Sequence, residues 1–244
     1  INDFDFVTSL ACKLKGLPSV QLGHQASFQS SLTPRPDDRS LIGELILKHY
    51  AHATNHIGFH FQKYDTFVFP PVIKNEFINA RTNDFKHVTI YLPSFQRHCL
   101  IETYKKLPHI HFHWFLEGID VIHTQENITY YPINQELFNV SLLTCHGLIT
   151  GGGFETPAEA LYLGKKIISI PIKNHYEQQC NAAALKQMGV LVLNDVDDNF
   201  SNIIDKWYDD KNTNPRIEAN NIDETLEYLI DTYPSKNKII PQLC

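Results

Sequence analysis

Residues 150–189 carry the side chains whose types and spacing are best suited to chemistry. Three consecutive glycines, Gly151, Gly152 and Gly153, follow the apolar end of a predicted strand. Glycine admits backbone conformations that other residues avoid, and it lets a ligand approach the main chain closely. A glycine turn that leads into a helix presents free N–H groups and the positive end of the helix dipole. This arrangement suits the binding of phosphate.

The helix after the glycines has a strong start signal. Thr156 is the predicted N-cap, Pro157 fits the first helical position, and Glu159 stands where a capping box places its acid. Glu159 therefore has two interpretations: it turns back to Thr156, or it points toward a ligand. The triple glycine favours the second, because a capping box alone would not require it.

A second strand and helix repeat this pattern. Residues 165–171 are apolar and rich in β-branched side chains, as expected for a strand that is buried on both faces. Asn174 is the predicted cap of a helix that ends at Gly189. Gln178 and Asn181 share one face near the start of that helix. Buried polar groups there need partners, and a ligand could be one.

The order of these features resembles the donor-binding half of GT-B glycosyltransferases: a glycine turn, a T-x-x-E helix, a strand ending in proline, and an EQ-x-x-NA segment. The branch it resembles contains the UDP-sugar transferases and the N-acetylglucosaminyltransferase of peptidoglycan synthesis. The resemblance implies an α/β protein of GT-B architecture. It would have a Rossmann-like C-terminal domain with a parallel sheet and the remaining part of an N-terminal Rossmann-like domain.

The resemblance also implies roles for individual residues. The residues expected to contact the donor diphosphate are Ser94, Gly151, Gly152, Gly153 and Phe154. Glu159 is expected to bind the ribose, and Ile133 and Asn134 the nucleobase. The residues expected to hold the donor sugar or its loop are Glu177, Gln178 and Asn181.

Two of these assignments need comment. Many relatives carry His or Arg where Gly151 stands, so backbone N–H groups would have to carry more of the phosphate contact. Ser94 has an equally well supported alternative as an ordinary N-cap between a strand and a helix.

His24 is the candidate for the acceptor side. It follows a predicted strand, 19–22, and ligands collect at the carboxyl ends of strands in parallel sheets. The resemblance implies that His24 contacts the acceptor or serves as a base. A hydrogen-bonded loop histidine is an equally good interpretation.

Other histidines and acids could suggest a metal site. Residues 41–61 are predicted to form one helix, which would align four histidines in a stripe: His49, His52, His56 and His60. A second set alternates along a predicted strand: His109, His111 and His113. Neither has an acid or cysteine that completes a familiar ligand set, so a polar helix face and an exposed or interdomain strand face are favoured. The DxD spacings at 3–5 and 195–197 are interpreted as solvated acids. No metal and no cofactor is expected, since the nucleotide sugar is a substrate.

The expected domain organisation follows the same resemblance. Residues 1–75 form a partial N-terminal, acceptor-side α/β domain, 76–86 a linker, 87–235 the donor-binding domain and 236–244 a tail. The chain begins at Ile1, and its only methionine is Met188. It is therefore predicted to be N-terminally truncated.

The composition of the chain argues against several classes of function. The chain has 244 residues, 43% of them hydrophobic, and a net charge of −6, so nothing suggests a nucleic-acid partner. Five cysteines without metal or disulfide spacing, and no secretion signal, predict reduced thiols and a cytoplasmic protein. No apolar run is long enough to span a membrane, although peripheral membrane association of the full-length protein fits the resemblance.

The predicted function is transfer of a sugar from a nucleotide diphosphate donor, a UDP-sugar, to an unknown acceptor without a metal. The leaving diphosphate would be stabilised at 151–154 and by the helix N-terminus. Two alternatives stay open. One is an enzyme on the same fold that resembles UDP-N-acetylglucosamine 2-epimerase. The other is a non-catalytic remnant that binds nucleotide sugars.

Overall fold

The strands of the computed structural model form two separate sheets. The model describes residues 1–95 and 97–233, so the predicted tail, 236–244, lies outside the described residues. The N-terminal sheet is parallel and has the order β1-β2-β3. Its strands are β1 (Val20–Gly23), β2 (Asn55–Phe59) and β3 (Val68–Phe69).

The C-terminal sheet has the order β10-β9-β8-β4-β5-β7-β6. Its strands are β4 (His87–Tyr91), β5 (His111–Leu116), β6 (His123–Gln125), β7 (Ile128–Pro132), β8 (Gly147–Thr150), β9 (Lys166–Ser169) and β10 (Leu191–Val192). All neighbours are parallel except β6, which pairs antiparallel with β7. From β4 the chain first runs outward on one side and then crosses to β8 on the other. This is the doubly wound order of a Rossmann-like sheet, in which ligands bind where the strand order reverses. The predicted α/β fold is confirmed.

The α-helices lie beside both sheets, and several of those after β4 cover the two faces of the C-terminal sheet. The α-helices are α1 (Phe6–Leu14), α2 (Leu41–His49), α3 (Asn75–Ile78), α4 (Arg97–Lys105), α5 (Gln135–Thr144), α6 (Glu155–Tyr162), α7 (Tyr176–Gln187), α8 (Phe200–Asp209) and α9 (Ile222–Thr232). A 3-10 helix covers His24–Gln29. One hydrophobic cluster packs α4 and α8 against the sheet, and another packs α5, α6 and α7. Burial on both faces explains the continuous apolar runs of β8 and β9.

The segment between the two sheets packs against the C-terminal domain. Ile73 and Phe77 are buried in the same cluster as α6 and α7. The backbone N–H of Asn83 donates to the carbonyl of Leu143, at 3.0 Å, and that of Phe85 to the carbonyl of Thr144, at 2.8 Å. The predicted linker, 76–86, is therefore held by the buried Phe77 near its start and by the end of α5 near its finish.

The helix predicted over 41–61 is wrong. α2 ends at His49, and β2 begins at Asn55 and pairs in parallel with β1. The β-branched and aromatic residues after position 55 fit a buried strand better than a helix face. The four histidines therefore do not form a stripe, because His56 lies in β2 and His60 follows it.

Both predicted caps in the glycine motif are also wrong. α6 starts at Glu155 with Phe154 as its N-cap, which makes no side-chain cap hydrogen bond. Thr156 and Pro157 thus lie inside the first turn. α7 is capped by His175, whose side chain accepts from the N–H of Gln178, while Asn174 adopts a left-handed backbone with φ of 65°.

Histidines of β4 and β5 form a buried cluster beneath α5. The rings of His87 and His113 stack 3.7 Å apart. His87 Nε2 lies 3.2 Å from the carbonyl oxygen of Ser141, and His113 Nδ1 lies 3.1 Å from its hydroxyl. The prediction of an exposed or interdomain face is therefore wrong for His113, which packs against α5. His109 is exposed and pairs with Asp205.

The burial of these histidines predicts that the protein loses stability in acid. Burial lowers the pKa of His87 from 6.5 to about 4. Because the unfolded chain binds protons more readily, the stability contributed by the neutral ring is complete above pH 6.5 and falls as the pH drops toward 4. For His87 we expect a loss of about 1 to 2 kcal/mol in the free energy of unfolding at pH 5. Urea unfolding at pH 7.5 and pH 5 measures it. His87→Gln should show a smaller pH dependence than the wild type, and an unchanged dependence would contradict the assignment.

Candidate functional site

Three adjoining pockets form a groove between the two sheets. The largest, of about 930 Å³, lies between the end of β1 and the start of α6. The second, of about 120 Å³, lies at the carboxyl ends of β4 and β8, and the third, of about 180 Å³, lies beside α5. Thr156 lines all three, so the groove is continuous. The second pocket is located where the strand order of the C-terminal sheet reverses, which is the expected ligand site of this fold.

The glycine turn lies at the junction of the first two pockets. None of its three glycines has a left-handed φ, so conformational freedom is not what this turn requires. Close packing is required at Gly152, where a Cβ would lie 2.8 Å from both the carbonyl oxygen of Gln178 and Cβ of Pro171. A Cβ at Gly153 would meet nothing within 4 Å. Only the middle glycine is therefore sterically obligatory.

The backbone N–H groups after this turn are available to a ligand. Gly152 donates to Oε1 of Gln178 at 3.3 Å. Within residues 1–95 and 97–233, the N–H groups of Gly153, Phe154, Glu155 and Thr156 donate to no protein acceptor. The first N–H groups of a helix lack partners within the helix, and they attract anions together with its dipole. This end of α6 faces the groove without a side-chain cap, so its donors stay open.

Ser94, predicted to contact the diphosphate, lines the second pocket. It lies in the turn after β4, beside Thr150, Gly151 and Gly153. The structure thus brings Ser94 together with the glycine turn. Thr156, which the sequence had suggested as a cap, also lines this pocket.

Glu159 does not form the capping box. It is 4% exposed, and its Oε1 pairs with Nζ of Lys74 at 3.0 Å. Its second oxygen, Oε2, is buried without a hydrogen-bond partner among the described residues. Burial raises the pKa of this carboxyl, and Lys74 partly opposes that shift. An unpaired buried carboxylate oxygen that lines the groove is suited to accept hydrogen bonds from ligand hydroxyls.

Ile133 and Asn134, predicted to contact the base, line the third pocket. The side chain of Asn134 also caps α5 by accepting from the N–H of Leu137, at 3.0 Å. Aromatic side chains of Tyr91, Phe115 and Phe138 complete the walls. Sequence analysis missed these three, because a strand end and a helix face give no signal that they meet.

His24 lies at the end of β1, against the glycine turn. Its ring stacks on Phe154 with centroids 3.8 Å apart and planes 7° apart. Nδ1 donates to the carbonyl of Phe59 at 2.9 Å, and Nε2 lies 2.9 Å from Oδ1 of Asn181. Burial lowers the pKa of His24, and the Glu177 carboxylate partly opposes that shift. Both ring nitrogens thus have protein partners, so the ring joins the two halves of the molecule.

The polar residues of α7 support the turn. Gln178 Oε1 accepts from the N–H groups of Gly152 and Ile172, and Asn181 Nδ2 donates to the carbonyl of Gly152, at 3.1 Å. Glu177 lines the largest pocket and accepts weakly from Gln25, at 3.3 Å. Gln178 and Asn181 therefore bond mainly to the backbone of the turn, while Glu177 stays at the groove.

Two findings concern metal binding and membrane-spanning helices. In the part of the chain that the structure describes, no three His, Cys, Asp or Glu side chains are grouped so that they could hold a metal ion. No helix of the described residues has the length and apolarity needed to cross a bilayer.

Comparisons with known proteins agree with this geometry. Residues 1–208 match the family model described as glycosyl transferase family 1. No curated protein matches the sequence significantly.

Solved structures share the fold. Phytolacca americana UGT2, complexed with UDP-2fluoro-glucose and pterostilbene, is 15% identical with a TM-score of 0.56 over 84% of this chain and 64% of its own. Arabidopsis thaliana UGT89C1, complexed with quercetin, is 10% identical and has a TM-score of 0.55. The match covers 84% of this chain and 60% of UGT89C1. Spinosyn forosaminyltransferase SpnP is 14% identical with a TM-score of 0.50 over 83% and 64%. The chain thus spans 60 to 64% of the length of these structures. It belongs to glycosyl transferase family 1 and has the GT-B fold of the glycosyltransferases.

Proposed function

We propose that this chain binds a nucleotide diphosphate sugar, a UDP-sugar in particular, and that the protein transfers the sugar to an acceptor. The observation that carries the proposal is the open N-terminus of α6 beside the unpartnered Oε2 of Glu159. Together they offer N–H donors to a diphosphate and, one helical turn further, an acceptor to ribose hydroxyls. The aromatic third pocket, with Ile133 and Asn134, lies next to them and suits a base.

The chemistry requires stabilisation of the leaving diphosphate. Charge develops on the phosphate nearest the sugar as the glycosidic bond breaks. The fixed N–H groups of Gly153 and Phe154 and the dipole of α6 can stabilise that charge without reorganising. Ser94 and Thr156 add hydroxyl donors. Glu177 lines the larger pocket, where the sugar and the acceptor would meet.

The role of His24 follows from its partners. Its ring nitrogens contact Phe59 and Asn181, and its face contacts Phe154. This supports a positioning role, in which His24 holds the turn against the N-terminal sheet. A base role would require a rearrangement that frees Nε2.

The geometry favours the transferase over an epimerase. An epimerase would need several basic and acidic groups converging on the sugar. In the described chain, Lys74 is the only lysine or arginine lining the three pockets. The remaining predictions, that no metal or cofactor is needed and that the protein is cytoplasmic, stay predictions.

Titration with UDP tests the proposal. We expect the wild type to bind UDP and to discriminate against 2′-deoxy-UDP, because Glu159 would accept from the ribose hydroxyls. Glu159→Gln should bind UDP about tenfold more weakly and lose most of that discrimination. Isothermal titration calorimetry measures both. Glu102→Gln, which changes an exposed acid of α4, should match the wild type. Absence of UDP binding by the wild type would overturn the proposal.

A further inference from the structure

Lys74 holds an unusual position in the groove. It lines the first and third pockets, which lie on either side of the start of α6. No other lysine or arginine of residues 1–95 and 97–233 lines the groove. No motif indicates this role, since Lys74 lies just before the segment predicted as a linker.

The neighbours of Lys74 hold its backbone in place. Ile73 and Phe77 are 3% and 1% exposed in the core of the C-terminal domain. Nζ lies 5.7 Å from the centroid of the Phe77 ring. The backbone of Lys74 is therefore fixed at the groove by packing against the domain that carries the glycine turn, and the pairing with Glu159 places its ammonium group there.

The ammonium group keeps hydrogen-bond capacity in this position. An ammonium has three N–H donors. In the described chain, the one ion pair of Lys74 is with Oε1 of Glu159, and its side chain is 33% exposed. Lys74 can thus stay paired with Glu159 while it donates to a second anion.

The groove carries negative charge, so a diphosphate would bind there more favourably beside a cationic donor. The largest pocket is lined by four carboxylates: Asp3, Glu155, Glu159 and Glu177. A diphosphate would add further negative charge near them, and like charges at short range repel. Backbone N–H groups carry only partial charge. A full positive charge at the groove would therefore favour binding more than the open end of α6 alone.

We propose that Lys74 is the cation that contacts the diphosphate of the donor, with Glu159 orienting its ammonium group. This inference rests on the proposed function, because it assumes that the groove holds a nucleotide diphosphate. Lys74 would supply the charge that the chain does not place at Gly151. It would also make the donor site depend on a residue outside the glycine motif.

The experiment compares ligands with and without phosphate. Dissociation constants for UDP and for uridine are measured by calorimetry on the wild type, Lys74→Gln and Lys74→Arg. We expect Lys74→Gln to weaken UDP about tenfold and uridine less than about twofold. Lys74→Arg should keep UDP affinity within about threefold of the wild type, since it keeps the charge. Lys63→Gln removes an exposed lysine outside the groove and should change neither ligand.

The outcomes separate the two proposals. Equal weakening of UDP and uridine by Lys74→Gln would show that Lys74 acts only through Glu159, and it would overturn the inference. Unchanged UDP affinity would overturn it as well, while the proposed function would stand. A wild type that binds neither ligand would overturn the proposed function first. The salt dependence of the wild type gives a second measurement, in which UDP affinity should fall with added salt and uridine affinity should not.

Discussion

Gly152→Ala should destabilise the protein by about 3 kcal/mol and weaken UDP binding. The new Cβ would lie 2.8 Å from the carbonyl oxygen of Gln178 and 2.9 Å from its Cβ. The carbonyl belongs to the backbone of α7, so relief requires a shift of the helix rather than a rotation of one side chain. That shift would also lengthen the contacts of Gln178 and Asn181 with the turn.

Gly153→Ala is the matched control for stability. It adds the same methyl group one residue later, where no atom lies within 4 Å. Urea unfolding should therefore give the wild-type free energy within about 0.5 kcal/mol. Similar losses in both variants would show that the turn needs glycine for its backbone conformation, and would contradict the packing argument.

Lys165→Met should cost about 2 to 4 kcal/mol in the free energy of unfolding. Lys165 is 6% exposed, and its Nζ donates to the carbonyls of Asn83, Leu143 and Cys145, at 2.7, 3.0 and 2.8 Å. Methionine has a similar shape but no donor, so all three carbonyls would lose the ammonium group, and only that of Leu143 would keep another donor within the described residues, the N–H of Asn83. The substitution would also weaken the attachment of the segment before β4 to the end of α5, leaving the backbone hydrogen bonds of Asn83 and Phe85.

Lys186→Met provides the control for this variant. Lys186 is exposed on α7, so the loss of its charge should change stability by less than about 0.5 kcal/mol. Chemical denaturation of both variants at neutral pH gives the comparison. A Lys165→Met protein as stable as the wild type would mean that water replaces the ammonium group at these carbonyls.

Much of the C-terminal domain could be predicted from the sequence because its signals are local. The apolar run of β8, the glycines and the helix after them stand next to each other in the chain, so their order alone indicates a strand, a turn and an anion-binding helix end. Their order also carried the resemblance to the GT-B fold. The structure places Ser94, Gly151, Gly153, Ile133 and Asn134 along one groove.

Boundaries and caps were less predictable, because tertiary contacts override local preference. Residues 41–61 contain histidines at spacings of three and four, which is typical of a helix. Pairing with β1 nevertheless makes the second half of this segment a strand. Thr156 has the chemistry of an N-cap, yet the helix begins two residues earlier than such a cap predicts and leaves its donors open. Packing and sheet pairing determined these boundaries, and neither produces a periodic pattern in the sequence.

The sequence by itself determined the type of domain, the glycine turn and the acid one helical turn beyond it. Only the tertiary structure decided which partners these residues meet. Glu159 meets Lys74 rather than Thr156, and His24 meets Asn181, 157 positions away. The physical reason is that an ion pair or a ring stack depends on where separate elements are placed in space, whereas a strand or a glycine turn depends on neighbouring residues along the chain.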